Sequence, residues 1–374
     1  MSVERTALDL LHEIRAWVEI ETHTPDAAAI NGLMTHVAQG FEALGATVER
    51  FPGSDGHGDH ILASSPWGGE GPGVLVMCHL DTVHPHGTLA RDLPFRIDGD
   101  RAYGPGIYDM KGGAFLAFAA FRAICEAGGT NGLPVRILFT SDEEVGSPTS
   151  RALIERLAAQ NKYVLVTEPA RDGGRLVTAR KGVGRFHMTA NGKPAHSGSR
   201  HHEGVNAILE IARQIVDIEG MTDYERGVTF NIGQVHGGTA DNVVPAACTA
   251  AIDMRVTSMA DGQALADKIL SLKPYDERVR LDVVGGMNRP PYEANAGGRA
   301  LFQQAVTLAE EIGFKAESVS TGGASDGNFT AATVPTLDGL GVDGEGAHTL
   351  NEHLLISSIV PRMMLQRRLM ESLR

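Results

Sequence analysis

The hydrophobic positions follow a helical period at the start of the chain and strand-like runs after it. Segments 5–21 and 26–44 carry apolar residues at helical spacing. Short runs typical of strands follow, at 46–51, 60–64 and 73–78. The last run, GVLVMC, is apolar throughout, which indicates a central strand that is covered on both faces of a sheet.

Helices and strands alternate through the next part of the chain. The pattern predicts a helix at about 113–127, a strand at 135–140, a helix at about 149–159 and a strand at 163–167. Strands that alternate with helices are the signature of a mostly parallel sheet with helices on both faces. The sequence therefore predicts an α/β fold for this region.

The order of elements changes near residue 181. The segment 181–290 reads strand, helix, strand, strand, helix, strand, which is the split βαβ order of ferredoxin-like domains. Beyond it, helix and strand alternate again. We therefore expect one domain built from residues 1–180 and 291–374, with an inserted α+β domain at 181–290. The 374 residues agree with this division, since a domain averages about 150 residues.

Acidic residues and histidines follow three successive predicted strands, at the point where each strand ends. Open α/β sheets bind ligands beyond the carboxyl ends of their strands, and clustered negative charge there needs a compensating cation. Each residue alone could be an ordinary polar side chain or a helix cap, but their shared placement favours a metal site. The candidates are His79, Asp81, Asp109, Glu143, Glu144, Glu168 and His348.

The residue types of this set indicate the kind of metal chemistry. Carboxylates with imidazoles at separate positions suit two divalent ions that share a bridging carboxylate, a type of site that hydrolyses amides or phosphates. Histidine and carboxylate without thiolate favour zinc, with cobalt or manganese as possible substitutes. Asp81 follows His79 by two residues and could orient its imidazole. Asp142, beside the two glutamates, is expected to be a scaffold residue.

Composition excludes several classes of function. The net charge of −13 argues against nucleic acid or an anionic membrane as the main partner. Cys78, Cys125 and Cys248 are too scattered for a disulfide framework or a thiolate metal site. The first helical segment carries charges throughout, unlike a signal peptide, and no run reaches the roughly 18 apolar residues of a membrane span. We therefore expect a cytoplasmic protein.

Five short motifs occur in order along nearly the whole chain. The motifs are HLDTV at 79–83, GPGIYDMKGG at 104–113, SDEEVGS at 141–147, TEP at 167–169 and GAHTLNE at 346–352. Together they resemble the dinuclear zinc peptidase family that includes glutamate carboxypeptidase, aminoacylase, acetylornithine deacetylase and succinyl-diaminopimelate desuccinylase, with glutamate carboxypeptidase the most similar type. The resemblance implies a zinc-exopeptidase-type fold whose inserted domain is a lid and dimerisation domain.

The resemblance also implies a role for each candidate. Asp109 would bridge two zinc ions and precede a cis peptide bond. His79 and Glu168 would bind one ion, Glu144 and His348 the other, and Glu143 would be the general base. His353 is a rival for the last ligand position. His348 is preferred, because the family pattern places a glutamate four residues after the histidine, and Glu352 satisfies it.

The inserted domain holds further candidates that the resemblance implies. His196, in GKPAHSG, would stabilise the oxyanion, in several family members from a partner subunit. Arginine suits a substrate carboxylate because its planar fork makes bidentate bonds. The candidates for substrate contacts are Asn242, Arg255 and Arg289, followed by Lys181, Gly323 and Ser325.

These observations predict a homodimeric zinc carboxypeptidase that releases a C-terminal residue, glutamate foremost, from an N-acyl or peptidyl substrate. Segments 180–184 and 321–328 depart from the glutamate-specific family members, which leaves the preference for glutamate open. One alternative is an N-deacylase of small acyl-amino acids, with the same metal site and a different pocket. Another is a metal-dependent binding protein that has lost turnover.

Overall fold

The computed structural model describes residues 5–374, which form two compact units. The first comprises residues up to Ala179, Glu293–Thr321 and Ser325–Arg374, and the second comprises Arg180–Tyr292 and Gly322–Ala324. The observed boundaries lie close to the predicted limits of 181 and 290, but the sequence pattern did not assign residues 322–324 to the inserted unit. The function of that unit as a lid and dimerisation domain stays a prediction.

A six-stranded sheet organises the first unit. Strands β6, β3, β7 and β15 run parallel, and β1 and β2 complete one edge as antiparallel strands. The predicted mostly parallel sheet is therefore confirmed. In sheet order the strands are β1 (Thr47–Phe51), β2 (His60–Ser64), β6 (Val135–Thr140), β3 (Val74–His79), β7 (Tyr163–Val166) and β15 (Thr336–Leu337).

Helices cover both faces of this sheet. Alternate side chains of β3 divide between two hydrophobic clusters: Val74 and Val76 pack with α1, α2, α4, α8 and α9, and Leu75 and Met77 pack with α5. The central position predicted for β3 is confirmed, since every residue in it is buried. The helices are α1 (Ala7–Val18), α2 (Ala27–Ala43), α3 (Thr88–Arg91), α4 (Gly112–Glu126), α5 (Arg151–Ala159), α8 (Ala296–Ile312) and α9 (Ile356–Ser372).

Two small sheets were not predicted, because their strands have two to five residues and show no readable period. In one of them, β17 pairs with β5 and brings the segment after His348 beside the GPGIYDMKGG turn. The first sheet comprises β16 (Gly344–Glu345), β17 (His353–Leu355), β5 (Arg101–Tyr103) and β4 (Arg96–Asp98), and the second β13 (Tyr292–Glu293), β8 (Leu176–Arg180) and β14 (Ser318–Thr321).

The inserted unit has the predicted ferredoxin-like order. Its four strands are antiparallel, in the sheet order β10, β11, β9, β12, and α6 and α7 pack on one face through a separate hydrophobic cluster. Within the described part of the chain, no helix combines the length and the apolar character needed to cross a membrane. The elements are β9 (Gly182–Asn191), α6 (Ala207–Glu219), β10 (Thr229–Gly237), β11 (Ala247–Val256), α7 (Met259–Leu270) and β12 (Arg280–Arg289).

Candidate metal centre

Parallel pairing brings the candidate ligands to one edge of the central sheet. His79, the last residue of β3, lies opposite Thr140 of β6, and Met77 lies opposite Val166 of β7. The acidic segment therefore begins beside His79, and Glu168 follows the neighbouring strand at the same edge.

The Asp109 carboxylate lies between two histidines. Its Oδ1 atom is 3.3 Å from Nε2 of His79, and its Oδ2 atom is 3.6 Å from Nε2 of His348. A second carboxylate stands beside each imidazole: Glu168 Oε1 is 3.6 Å from His79 Nε2, and Glu144 Oε2 is 3.1 Å from His348 Nε2. The arrangement consists of two groups that share Asp109, each with an imidazole and a carboxylate of its own.

Two buried polar atoms of this cluster lack hydrogen-bond partners, namely Nε2 of His79 and Oε1 of Glu144. An unsatisfied buried polar atom is costly, and a divalent cation bound by nitrogen and oxygen ligands would remove that cost. Ligand atoms of His79, Asp109 and Glu144 lie within 4.8 Å of one another, as do those of His79, Glu143 and Glu168. These residues fit the metal centre that the motifs imply.

Charges inside the cluster shift the pKa values of its members. Burial alone would lower the pKa of His79, but the nearby carboxylates of Asp109, Asp81 and Glu168 raise it well above its ordinary value. Burial would raise the pKa of Asp109, but His79 lowers it to about 2. A hydrogen bond to Glu144 raises the pKa of His348 to about 9, and burial raises the pKa of Glu144 to about 7. The surrounding carboxylates therefore favour the protonated forms of both imidazoles.

Asp81 holds the loop that follows β3. Nδ1 of His79 donates to the main-chain oxygen of Asp81 over 3.0 Å, and the Asp81 Oδ1 atom is 3.4 Å away. The Asp81 carboxylate accepts the main-chain N–H groups of Glu143 and Glu144, each at 3.3 Å, and the Thr24 hydroxyl at 3.0 Å. Asp81 therefore fixes the imidazole mainly through its backbone, and its side chain joins that ligand to the acidic segment.

The three adjacent acids have separate environments. Asp142 is buried and accepts four hydrogen bonds, from the N–H and hydroxyl groups of Thr149 and Ser150, at 2.6–3.1 Å. The scaffold role predicted for Asp142 is confirmed. Glu144 lies with the imidazoles and carboxylates above. Glu143 is buried and close enough to them to be either a ligand or a proton acceptor.

Two glycines enclose the main chain before Glu168. A Cβ atom at Gly113 would lie 2.0 Å from the carbonyl oxygen of Thr167, and one at Gly341 would lie 2.4 Å from the same atom. Neither distance is sterically possible, so neither position accommodates a side chain. The start of α4 and the turn at 341 therefore approach the end of β7 backbone to backbone, which sets the position of Glu168.

The structure favours His348 over His353 as a ligand. His353 donates from Nδ1 to the main-chain oxygen of Asn351 over 2.8 Å and stacks on Tyr103, with ring centroids 5.1 Å apart. His348 faces Glu144 and has a left-handed backbone (φ 63°), a conformation that is uncommon outside glycine. The Asp109–Met110 peptide bond is cis, as the motifs implied.

Comparison with known proteins identifies the family. The pattern of peptidase family M20/M25/M40 matches residues 75–372. The chain belongs to this M20 family. Carboxypeptidase G2 of Pseudomonas sp. (strain RS-16) is 33% identical over 355 residues, which are 93% of this chain and 85% of that protein. A succinyl-diaminopimelate desuccinylase of Paracidovorax citrulli is 27% identical over 94% of each chain.

A solved structure extends the likeness to the fold. A metallo-carboxypeptidase of the M20 family from Sulfolobus solfataricus has a TM-score of 0.78 at 15% identity, covering 97% of this chain and 98% of the other. This match shows the fold, and the family match with the sequence relatives makes this M20 chain a metallo-carboxypeptidase-like hydrolase.

In the inserted unit of this M20 peptidase, two candidate residues are neighbours. Val243, next to Asn242, forms a β-bridge with His196, and the main-chain oxygen of Asn242 accepts the N–H of Ser197 over 3.0 Å. Nδ1 of the exposed His196 accepts the N–H groups of Gly198 and Ser199, at 3.1 and 3.3 Å. The neutral imidazole must therefore carry its proton on Nε2.

The two candidate arginines share one level of the inserted sheet. Arg255 of β11 and Arg289 of β12 lie opposite Val183 of β9, on either side of it. Because strand residues alternate and the next position, Gly184, belongs to the helix-facing series, Arg255 lies on the face that α6 and α7 leave open, whereas a register shift between Met287 and Arg289 interrupts the alternation in β12. Arg289 is buried, whereas Arg255 is partly exposed and donates from Nε and Nη2 to both carboxylate oxygens of Asp253, at 2.7 and 3.0 Å.

The remaining candidates for substrate contacts differ in burial and in the groups they already bond to. Lys181 is half-buried just before β9, and the carbonyl oxygen of Gly323 accepts from Arg180 over 3.2 Å. Ser325 is fully buried, and its hydroxyl donates to Asp338 and accepts the N–H of Gly327. Its own N–H is bonded to a side chain three residues on. Ser325 therefore caps a buried turn, and its contact with a substrate stays a prediction.

Sequence reasoning missed several residues around the metal centre. The Thr24 hydroxyl donates to Asp81 from a distant segment, the His84 ring bonds to Glu352 from the loop after His79, and Nη2 of Arg171 is 3.9 Å from Glu168 Oε2. In the sequence, Glu352 is recognisable only as the last residue of the motif around His348. Its position in the chain gives no sign of which groups its carboxylate contacts. Arg171 stands three residues after Glu168, a position that could have drawn attention to it.

Proposed function

We propose that this M20 peptidase is a dinuclear zinc carboxypeptidase that releases a C-terminal amino acid, glutamate foremost, from an N-acyl or peptidyl substrate. The observation that carries the proposal is the Asp109 carboxylate, which turns one oxygen toward His79 and the other toward His348. A carboxylate placed in this way suits a bridge between two ions. His79 and Glu168 would complete one site, and Glu144 and His348 the other.

The donor set supports zinc, because it combines imidazole and carboxylate without thiolate. When bound, two such ions polarise the scissile carbonyl group and bring the pKa of a water down to about 7 in favourable cases. Glu143 would accept the proton of that water and later transfer it to the leaving amine. Its carboxylate is buried close to His79 and Glu168, which supports this role.

His196 is suited to stabilise the oxyanion. Its Nδ1 atom is occupied by two main-chain N–H groups, so Nε2–H is the free donor of the neutral ring. Because the two bonds fix the tautomer of the ring in advance, this N–H group can stabilise developing negative charge without a rearrangement of the ring.

Asn242, Arg255 and Arg289 would bind the C-terminal carboxylate of the substrate, with Lys181 and Gly323 as weaker candidates. Arg255 already makes bidentate bonds to a carboxylate, that of Asp253, so substrate binding there exchanges one carboxylate for another. This exchange makes Asp253 a competitor of the substrate.

The inserted unit also supports a homodimer. Strand β10 is at the edge of its sheet, and its N–H groups at Phe230 and Ile232 bond to side chains of Thr222 and Glu219, so a second copy would pair with the part of the strand beyond Ile232. Apolar side chains of β10 and the adjacent α6 are exposed, with Val216 71%, Val235 45% and Ile208 39% accessible. Pairing of two such edges would cover these side chains.

An N-deacylase of small acyl-amino acids is the second candidate, because the match to the desuccinylase spans 94% of the chain. Zinc-loaded protein assayed on N-acyl-glutamate, pteroyl-glutamate, N-acetylornithine and N-succinyl-diaminopimelate separates the two. We expect the glutamate-releasing substrates to be preferred. Preference for either of the last two would refute the glutamate assignment, and metal-loaded protein that binds these compounds without turnover would indicate a binding protein.

A further inference from the structure

Glu352 carries a buried carboxylate that has no place among the proposed ligands. It is 1% exposed and lies four residues after His348. Its Oε1 atom accepts the main-chain N–H groups of Tyr108 and Asp109, each at 2.9 Å, and its Oε2 atom accepts that of Gly106 at 2.9 Å. One side chain therefore holds the turn that ends at the proposed bridging ligand.

The same carboxylate reaches a third segment. Nε2 of His84 donates to Glu352 Oε2 over 2.6 Å, and His84 is 7% exposed, in the loop that follows His79. The main-chain oxygen of Glu352 also accepts the N–H of Gly104 over 3.4 Å. Glu352 thus joins the segments that carry His79, Asp109 and His348, three of the five proposed ligands.

We infer that Glu352, together with His84, is a positioning residue that fixes the spacing of the ligands before metal binds. The inference rests on the proposed function, because it concerns the same zinc centre. Two carboxylate oxygens provide enough lone pairs for all four donors, whereas glutamine presents an NH₂ group in place of one oxygen. Ligands that are already held in place require less ordering when a metal binds, and residues that orient ligands affect metal affinity for this reason.

The test compares zinc affinity in Glu352→Gln and wild-type protein by competition with a chromogenic chelator. All five proposed ligands remain in the variant, yet we expect the affinity to fall about 10- to 100-fold. Glu345→Gln is the matched control, since Glu345 is exposed on β16 of the same small sheet, and its affinity should stay unchanged. A purely structural role would lower stability without altering the affinity of the folded protein or the visible spectrum of the cobalt-substituted form.

His84→Phe provides a second variant in case Glu352→Gln does not fold. It keeps the ring shape and the three main-chain bonds to Glu352 and removes one donor, so we expect a loss of about three- to tenfold in affinity. Unchanged zinc affinity in Glu352→Gln overturns the inference, and so does unchanged affinity in His84→Phe if Glu352→Gln is insoluble. Wild-type protein that binds no zinc would refute the proposed function as well. Wild-type and Glu352→Gln proteins that bind zinc equally would refute only the positioning role.

Discussion

The metal centre and the open face of the inserted sheet hold their polar side chains in different ways. At the metal centre, Asp81 and Asp142 are buried, and each accepts several hydrogen bonds from neighbouring segments. On the open face, Arg255 is partly exposed and is paired with Asp253 on its own strand. A buried ionised group is stable only when its partners are fixed, whereas a group that binds and releases a substrate needs a partner it can give up. We therefore expect substitutions in the first region to affect metal and chemistry, and those in the second to affect substrate choice.

The largest effect is expected for Glu143→Gln. Loss of the general base should lower kcat about 10²- to 10⁴-fold while zinc stoichiometry stays at the wild-type value. Glu144→Gln is the comparison, because it alters the adjacent acid and should lower zinc binding itself. Steady-state kinetics with metal analysis distinguishes the two. Unchanged hydrolysis in Glu143→Gln would remove Glu143 from the mechanism.

Arg255→Lys should act on substrate recognition alone. Replacing a bidentate fork by a point charge is expected to lower kcat/KM for substrates with a free C-terminal carboxylate about 10- to 100-fold, with zinc affinity unchanged. Arg280→Lys is the matched control, because Arg280 makes a similar contact, 2.7 Å, with Asp282 two residues away but lies at the other end of β12. Equal effects of the two substitutions would show that Arg255 has no special role.

Zinc affinity should rise with pH. The pKa of His348 is about 9 in the metal-free protein, so below that pH zinc must displace a proton from the imidazole. For the ion held by His348 and Glu144, the expected increase is up to about tenfold per pH unit between about pH 7 and 9, and it becomes steeper below pH 7, where Glu144, with a pKa of about 7, holds a second proton. Calorimetry in two buffers of different ionisation enthalpy counts the protons released. Binding of a carboxylate by Arg255 does not involve these groups, which gives the contrast between the two regions.

The smallest effect is expected for Asp253→Asn, and its sign is opposite to that of Arg255→Lys. Removing the competing carboxylate should lower KM for carboxylate substrates about two- to fivefold, because a partly exposed ion pair contributes a free energy of that size. Asp282→Asn is the corresponding control on β12. An increase in KM for Asp253→Asn would mean that Asp253 helps to hold Arg255 in its binding position.

The main elements of the fold could be predicted because their signals are local. The apolar run of β3, the alternation of strand with helix, and the β-α-β-β-α-β order of the insertion each occupy a continuous stretch of sequence. The small sheets could not be predicted in this way. A strand such as β16, with two residues, carries no period, and β17 forms only because the tertiary structure brings β5 beside it.

At the candidate site, too, residues with a local sequence signal could be predicted and residues without one could not. His79, Glu144 and Glu168 could be proposed from sequence because each follows a strand of a parallel sheet. The pairing of Arg255 with Asp253 also had a signal, since residues two apart on a strand share a face. The bond from the Asp109 N–H to Glu352 had none, because 243 residues separate the two.

The close approach of Gly113 and Gly341 to the Thr167 carbonyl group has a consequence for the evolution of this enzyme. A survey of every single substitution would find these glycines nearly as intolerant as the ligands, although neither has a side chain that could take part in the reaction. Intolerance to substitution at Gly113 would show that the space between α4 and the end of β7 is too small for a side chain. The backbone contact at Thr167 therefore constrains the main chain beside Glu168 without any side chain of its own.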